Sequence, residues 1–269
     1  MRAALVTGPS SGIGRVTSLE LGRKGFHVVA AGRSEERTSS VIDLIREEGG
    51  SAEFLHLDLA SLESARDAAR TFGNSGRQLD VLVNNAGIGA TRGITADGFE
   101  VNFGVNHLGH FMFTHHLRPT FRPGTRIVQV ASAVHFRASG IDFDRLQRRS
   151  RSFYGIDEYG VSKLANVLFV KELARRQPDW STYAVHPGVT DTSIIPRYVR
   201  MLMRGRLLTP EQGAATVIWC ATSDDVTGES GLYYSNKEVR QPSAAAQDDD
   251  LARELWERSE LWCGVAPQH

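Results

Sequence analysis

The sequence predicts an α/β fold, a doubly wound parallel sheet of about seven strands with helices on both faces. Two observations predict it: short apolar, β-branched runs alternate with longer amphipathic stretches, and a glycine-rich turn joins the first run to the first helix. Ala3 to Val6, Val28 to Ala31, Phe54 to Leu57, Val81 to Val83, Arg126 to Ala131 and Tyr183 to His186 read as strands. Between and after them, Val16 to Lys24, Glu35 to Glu48, Leu62 to Phe72, Phe99 to Leu117, Asp157 to Arg176 and Glu211 to Thr222 place apolar residues at three- and four-residue spacing, as helices do. Right-handed crossovers then wind the sheet in two directions.

Length and composition fit one domain spanning 1–269, with no internal repeat and no long linker. The irregular stretch 189–209 follows a strand and reads as a substrate lid, and 247–262 reads as a C-terminal helical extension. Thirty-one basic residues balance 31 acidic ones, so no net field recruits nucleic acid or an anionic membrane. The two cysteines, Cys220 and Cys263, lack a C-x-x-C spacing, which argues against a disulfide framework or a cysteine metal site and for a reducing, cytoplasmic setting. The first strand begins at Ala3, with no signal peptide or membrane anchor ahead of it, so a soluble protein is expected.

Chemistry concentrates beyond the carboxyl ends of the strands, where this fold class binds ligands. Thr7-Gly8-Pro9-Ser10-Ser11-Gly12-Ile13-Gly14 follows the first strand and opens the first helix. Backbone amides across Gly8, Ser10, Ser11, Gly12, Ile13 and Gly14, together with the positive helix end, are placed to hold a pyrophosphate, as in Rossmann-type dinucleotide sites. After the second strand, Gly32-Arg33 stands where an NAD enzyme places a carboxylate for the ribose hydroxyls. Arg33 is suited instead to a 2′-phosphate, with Arg37 one helical turn on, so NADP(H) is expected as cofactor and NAD(H) is the alternative.

Leu57-Asp58-Leu59, Asn84-Asn85-Ala86-Gly87, Asn106, Ser132, Tyr159-Gly160-Val161-Ser162-Lys163 and Pro187-Gly188 occur in that order along nearly the whole chain. Together they resemble the short-chain dehydrogenase/reductase family. Val105-Asn106-His107-Leu108-Gly109-His110-Phe111, Ser162-Lys163-Leu164-Ala165-Asn166 and Ala184-Val185-His186-Pro187-Gly188-Val189 are most similar to its retinol dehydrogenase-like branch. Light-dependent protochlorophyllide reductases also look similar around the Asn-His-Leu-Gly-His-Phe stretch.

Tyr159 and Lys163 are four apart on one helix and share a face; a cation near the phenol favours its ionised form and should bring its pKa down toward the working pH. The resemblance implies a nicotinamide-dependent oxidoreductase in which Tyr159 is the general acid/base and Ser132 stabilises the developing alkoxide. It also implies that Lys163 grips the nicotinamide ribose and that Asn106 holds a water linking the lysine to solvent. By the same resemblance Asp58 and Leu59 border the adenine. Asn85, Ala86 and Gly87 pass along the adenosine ribose, and Pro187, Gly188, Val189, Thr190 and Thr192 lie against the nicotinamide.

His107, His110, His115 and His116 have no cysteine or clear carboxylate partner and read as helix-surface and packing residues, so no metal is expected. His135, Phe136, Phe153 and Tyr154 flank the serine and tyrosine and either line a pocket or pack their loop; Ile194 to Leu208, with Met201, Leu202, Met203 and Leu207, forms its other wall or a lid helix. Such a pocket suits a small lipophilic ketone, aldehyde or alcohol. The family resemblance implies a homodimer joined through the helices Phe99 to Leu117 and Asp157 to Arg176. Two readings compete with an NADP(H)-dependent carbonyl reductase: an NAD(H)-dependent alcohol dehydrogenase of the same family, and a non-catalytic dinucleotide-binding sensor or scaffold.

Overall fold

The computed structural model describes residues 1–89, 91–191 and 207–266. Among the described residues one sheet runs in the order β3-β2-β1-β4-β5-β6-β7-β8. Its strands are β1 (Ala3–Thr7), β2 (His27–Gly32), β3 (Ser51–His56), β4 (Leu79–Asn84), β5 (Phe121–Val130), β6 (Ser181–His186), β7 (Leu232–Ser235) and β8 (Glu238–Val239). Neighbours are parallel except for the β7–β8 pair. Central strands such as β1 are buried along their whole length, because helices cover both faces and alternation with polar residues would bury unpaired polar groups.

All six strands expected from the sequence lie in or overlap observed ones. The β7–β8 hairpin completes the sheet. Its turn residues Asn236 and Lys237 have φ of 54° and 61°, and two left-handed residues in succession give the mirror-image turn that follows strand twist.

The helices are α1 (Gly12–Arg23), α2 (Glu35–Glu47), α3 (Leu62–Asn74), α4 (Val101–Phe103), α5 (Gly109–Leu117), α6 (Ile156–Arg176), α7 (Pro210–Thr222), α8 (Ala244–Gln247) and α9 (Asp249–Cys263). Side chains of Ser34, Ser61, Thr209 and Asp248 cap α2, α3, α7 and α9 by accepting from first-turn amides, which fixes where these helices start. Two boundaries differ from expectation, and both matter to the site. α1 begins at Gly12, inside the glycine turn, so its first amides open toward the ligand edge. The expected single helix from Phe99 to Leu117 is broken by a π turn, Gly104–Leu108, that carries Asn106. Glycines bracket that turn because a Cβ at Gly104 would lie 2.5 Å from Thr95 Cγ2 and one at Gly109 2.4 Å from the Leu59 carbonyl oxygen.

On one face of the sheet α1 packs against α2 and α7; on the other α5 lies against α3, and α6 against α9. α9 closes over α5 and α6. Trp256 meets Phe111 edge-on at 5.0 Å and stacks on Phe169 at 5.9 Å, with the Arg176 guanidinium 5.0 Å from its ring. Trp262 meets Phe99 at 5.5 Å and Phe103 at 5.8 Å, and His107 Nε2 hydrogen-bonds with Ser259 Oγ at 3.0 Å. α9 thus covers part of α5 and α6, the helices through which a homodimer was expected. No helix among the described residues is long and apolar enough to cross a membrane.

Sedimentation at micromolar concentration tests the expected homodimer: a species of twice 29.6 kDa is expected, and one of 29.6 kDa, the mass of one chain, would refute it.

Candidate active site

The strand order reverses between β1 and β4: β2 and β3 extend the sheet on one side, β5 to β8 on the other. Connections leaving the two strands diverge, and a cavity of about 540 Å³ opens at their carboxyl ends. Its floor is the glycine turn. Gly8 and Gly12 have φ of 68° and 54°, conformations open to glycine, and a Cβ on Gly14 would lie 2.1 Å from the Gly8 carbonyl oxygen and 2.4 Å from Asn85 Nδ2. Backbone therefore lines the cavity beside the positive end of α1, a cradle with the shape and polarity that a pyrophosphate requires.

Gly8, Ser10, Ser11, Gly12, Ile13, Gly14, Arg33, Asp58, Leu59, Asn85, Ala86 and Gly87 all line this cavity, as do Pro187, Gly188, Val189 and Thr190. Arg33 and Arg37 are exposed at its rim and form no ion pair among the described residues, so both guanidiniums are available to an anion. Asp58 Oδ1 accepts from the Ala60 amide at 3.0 Å, which shapes the turn after β3. Asn85 spends its side chain on the glycine turn, donating through Nδ2 to the Thr7 and Gly8 carbonyls at 2.8 and 3.3 Å. Thr192 and most of the expected second wall, including Met201, Leu202 and Met203, lie outside the described residues. The ends of that stretch are pinned together: Leu208 donates to the Val189 carbonyl and Asp191 to the Leu208 carbonyl, each at 2.9 Å.

Ser132, Tyr159 and Lys163 line the same cavity. Ser132 follows β5 and caps a short 3₁₀ turn, accepting from the Val134 amide. Tyr159 stands in the second turn of α6, and the chain enters that helix through two left-handed residues, Tyr154 (φ 53°) and Gly155 (φ 69°). Glu158 anchors the entry by accepting from the Arg151 and Ser152 amides at 2.6 and 3.1 Å. Lys163, one turn beyond Tyr159, is buried; its Nζ donates to the Val130 carbonyl at 2.9 Å and lies 5.9 Å from the centre of the Tyr159 ring. Asn106 faces them from the π turn. Its Nδ2 donates to the Ile88 carbonyl and to Ser162 Oγ, and its Oδ1 accepts from the Ile88 amide, all at 2.9 Å.

The electrostatics correct one expectation. Burial pushes the Tyr159 phenol up to about 12, and the hydrogen bond with Ser132 opposes that shift. Burial likewise pushes the Lys163 ammonium down to about 8. The cation therefore does not carry the phenol down in this structure: desolvation dominates, and the Lys163 ammonium is engaged with the Val130 carbonyl.

His135 is fully buried; the Ser243 amide donates to its Nε2 at 3.1 Å, so its Nδ1–H donates to the Ser132 carbonyl at 2.7 Å. It packs the loop and does not line the cavity. Phe136, Phe153 and Tyr154 are exposed outside it. His115 stacks on Phe111 and His116 packs edge-on against His115. The sequence did not disclose that the buried side chains of Thr7 and His110 hydrogen-bond at 3.0 Å beside the glycine turn. The available signal was a hydroxyl residue at the end of an apolar strand, next to the glycine turn.

Comparison with known proteins agrees with this geometry. The short chain dehydrogenase family model matches residues 2–141. The chain is 40% identical to dehydrogenase/reductase SDR family member 13 of Homo sapiens, over 99% of this chain and 74% of the relative. It is 38% identical to retinol dehydrogenase 11 of Homo sapiens, over 96% of this chain and 84% of that one. The crystal structure of a short chain dehydrogenase from Burkholderia cenocepacia J2315 in complex with NADP superposes with a TM-score of 0.72 at 25% identity, covering 92% of this chain and 98% of that one. With its fold, glycine turn and Ser132–Tyr159–Lys163 cluster, the chain belongs to the short chain dehydrogenase family, in its retinol dehydrogenase-like branch, and is an NAD(P)-dependent oxidoreductase.

Proposed function

We propose that the protein is an NADP(H)-dependent oxidoreductase that interconverts a small lipophilic ketone or aldehyde and its alcohol, with Tyr159 as general acid/base. The observation that carries this reading is that Ser132, Tyr159 and Lys163 line the same cavity as the glycine turn. Gly8 to Gly14 would hold the pyrophosphate, Asp58 and Leu59 the adenine, Asn85 to Gly87 the adenosine ribose, and Pro187 to Thr190, with Thr192, the nicotinamide. When bound, the nicotinamide supplies hydride to a carbonyl carbon or accepts it from an alcohol.

Everything else falls to side chains of this chain. In the reducing direction the substrate oxygen gains the phenolic proton of Tyr159, and the Ser132 hydroxyl donates to the same oxygen as charge develops on it. A phenol held near 12 stays protonated at neutral pH and is ready to donate. Lys163, held near 8, is a cation under the same conditions; in this reading it grips the nicotinamide ribose, and Asn106 holds a water that links it to solvent, from which the proton is resupplied. Val134, Ile156 and Val189 line the cavity with apolar surface, which suits a lipophilic substrate, as does likeness to a relative named for retinol.

The preference for NADP(H) over NAD(H) rests on Arg33 and Arg37 and on the absence of a carboxylate beside Gly32. The NADP in the Burkholderia cenocepacia structure supports it. We read residues 1–269 as one catalytic domain, with 189–209 as its lid and α9 as its cover. The two free, buried cysteines fit the reducing, cytoplasmic setting of this reading.

Reduction of a panel of lipophilic aldehydes and ketones tests the proposal. Tyr159→Phe is expected to lower kcat at least ~100-fold while NADPH still binds; retention of wild-type turnover would refute the role of Tyr159. Arg33→Ala should raise KM for NADPH roughly tenfold or more, the cost of one charged hydrogen bond, and leave KM for NADH unchanged. Equal effects on the two nucleotides would point to NAD(H) instead. Because the Lys163 proton is lost as pH rises through about 8, reductive kcat should be level below that pH and fall above it. A profile in which kcat rises through pH 8 would contradict this.

A further inference from the structure

Beside the glycine turn, the end of β1 and the π turn meet on one buried imidazole, His110. Thr7 Oγ1, at the end of β1, receives the Asn85 amide at 3.0 Å and the Ala86 amide at 2.9 Å. It also lies 3.0 Å from His110 Nε2 and 3.5 Å from the Val83 carbonyl. The His110 Nδ1 lies 3.0 Å from the backbone carbonyl of Asn106, inside the π turn.

These contacts fix where the hydrogens are. A hydroxyl has two acceptor positions and one proton, and two amides, which can only donate, fill both acceptor positions of Thr7. Its remaining proton points to the nearer acceptor, His110 Nε2, which must be the bare ring nitrogen. The ring proton is then on Nδ1, where it donates to the Asn106 carbonyl. The opposite tautomer would set a bare nitrogen against a carbonyl oxygen and a third donor against Thr7. Burial holds His110 down to about 4, so the ring stays neutral and the arrangement persists at working pH.

We propose that His110 is a positioning residue that locks the segment Asn85 to Ile88 against the π turn. The N-terminal end of that segment hangs from Thr7, which donates to the ring. Its C-terminal end is gripped by the side chain of Asn106, whose own backbone accepts from the ring. Gly87 sits between the two clamps; a Cβ there would come within 3.0 Å of Asn106 Oδ1 and 3.7 Å of Lys163 Nζ. Through one imidazole, the wall read as the nucleotide ribose site and the wall carrying Asn106 and Lys163 keep a common register. The nucleotide part of this inference rests on the function proposed above.

Hydrogen exchange of the nucleotide-free protein and NADPH fluorescence titration test it separately. His110→Phe and Thr7→Val should each speed exchange of the Asn85 and Ala86 amides, and each should weaken NADPH binding roughly tenfold, the scale of a lost buried hydrogen bond. Thr7→Ser, which keeps the hydroxyl, should retain slow exchange, and the double variant should be no worse than the more severe single one. Wild-type exchange in a folded His110→Phe protein, or additive effects in the double variant, would overturn the proposal. If His110→Phe does not fold, the contrast between Thr7→Val and Thr7→Ser decides: equal exchange in the two would refute the clamp. A wild-type protein that binds neither NADPH nor NADH would instead defeat the proposed function, while the exchange measurement would still decide the role of His110.

Discussion

The reversal of strand order between β1 and β4 is the constraint on which the site depends. Parallel strands need right-handed crossovers, so helices that serve the two halves of the sheet leave β1 and β4 in opposite directions and cannot fill the space between them. The gap needs no excavation. Whatever lies at the carboxyl ends of those strands and of β5 and β6 is exposed to it: the glycine turn after β1, Asn85 to Gly87 after β4, Ser132 after β5 and Pro187 after β6. One topological fact brings together residues that are spread over most of the chain.

Burial sets the chemistry of the groups gathered there. Tyr159 and Lys163 have opposite charge preferences, and burial pushes both toward the neutral form, the phenol up to about 12 and the ammonium down to about 8. The pair is thereby held as a neutral acid beside a cation that titrates close to neutrality. That state suits proton donation to a carbonyl oxygen, and it is tuned by packing against strands and helices far away in sequence. The same desolvation keeps His110 neutral, which allows an imidazole to act as a fixed hydrogen-bond bridge.

Much of this was legible in the sequence, and what was missed has physical reasons. Continuous apolar runs gave the central strands, because a strand covered on both faces has no other composition. Gly8, Gly12 and Gly14 disclosed a close backbone approach, and the spacing of Tyr159 and Lys163 disclosed a shared helix face. The π turn left no mark on the apolar periodicity; only Gly104 and Gly109 hinted at it, through contacts with Thr95 and Leu59 that cannot be foreseen locally. The β7–β8 hairpin escaped notice because its strands are short and its turn, Asn236-Lys237, lacks glycine. The amphipathic pattern of α9 predicted a buried face but not the partner, so the covering of α5 and α6 came only with the structure. The direction of the Tyr159 shift is hidden for the same reason: a neighbouring charge is visible in sequence, whereas desolvation is a property of the assembled fold.

Deuterium tracing decides whether Tyr159 and Ser132 carry out this chemistry. NADPH carrying deuterium at one or the other C4 position would be incubated with the protein and a lipophilic aldehyde, and the alcohol product analysed by mass spectrometry. One of the two labelled nucleotides, and not the other, is expected to transfer its deuterium to the carbinol carbon, and Tyr159→Phe to suppress the transfer. Tight NADPH binding without label in the product of any substrate tried would contradict it, leaving a nucleotide-binding fold without the chemistry argued for Tyr159 and Ser132.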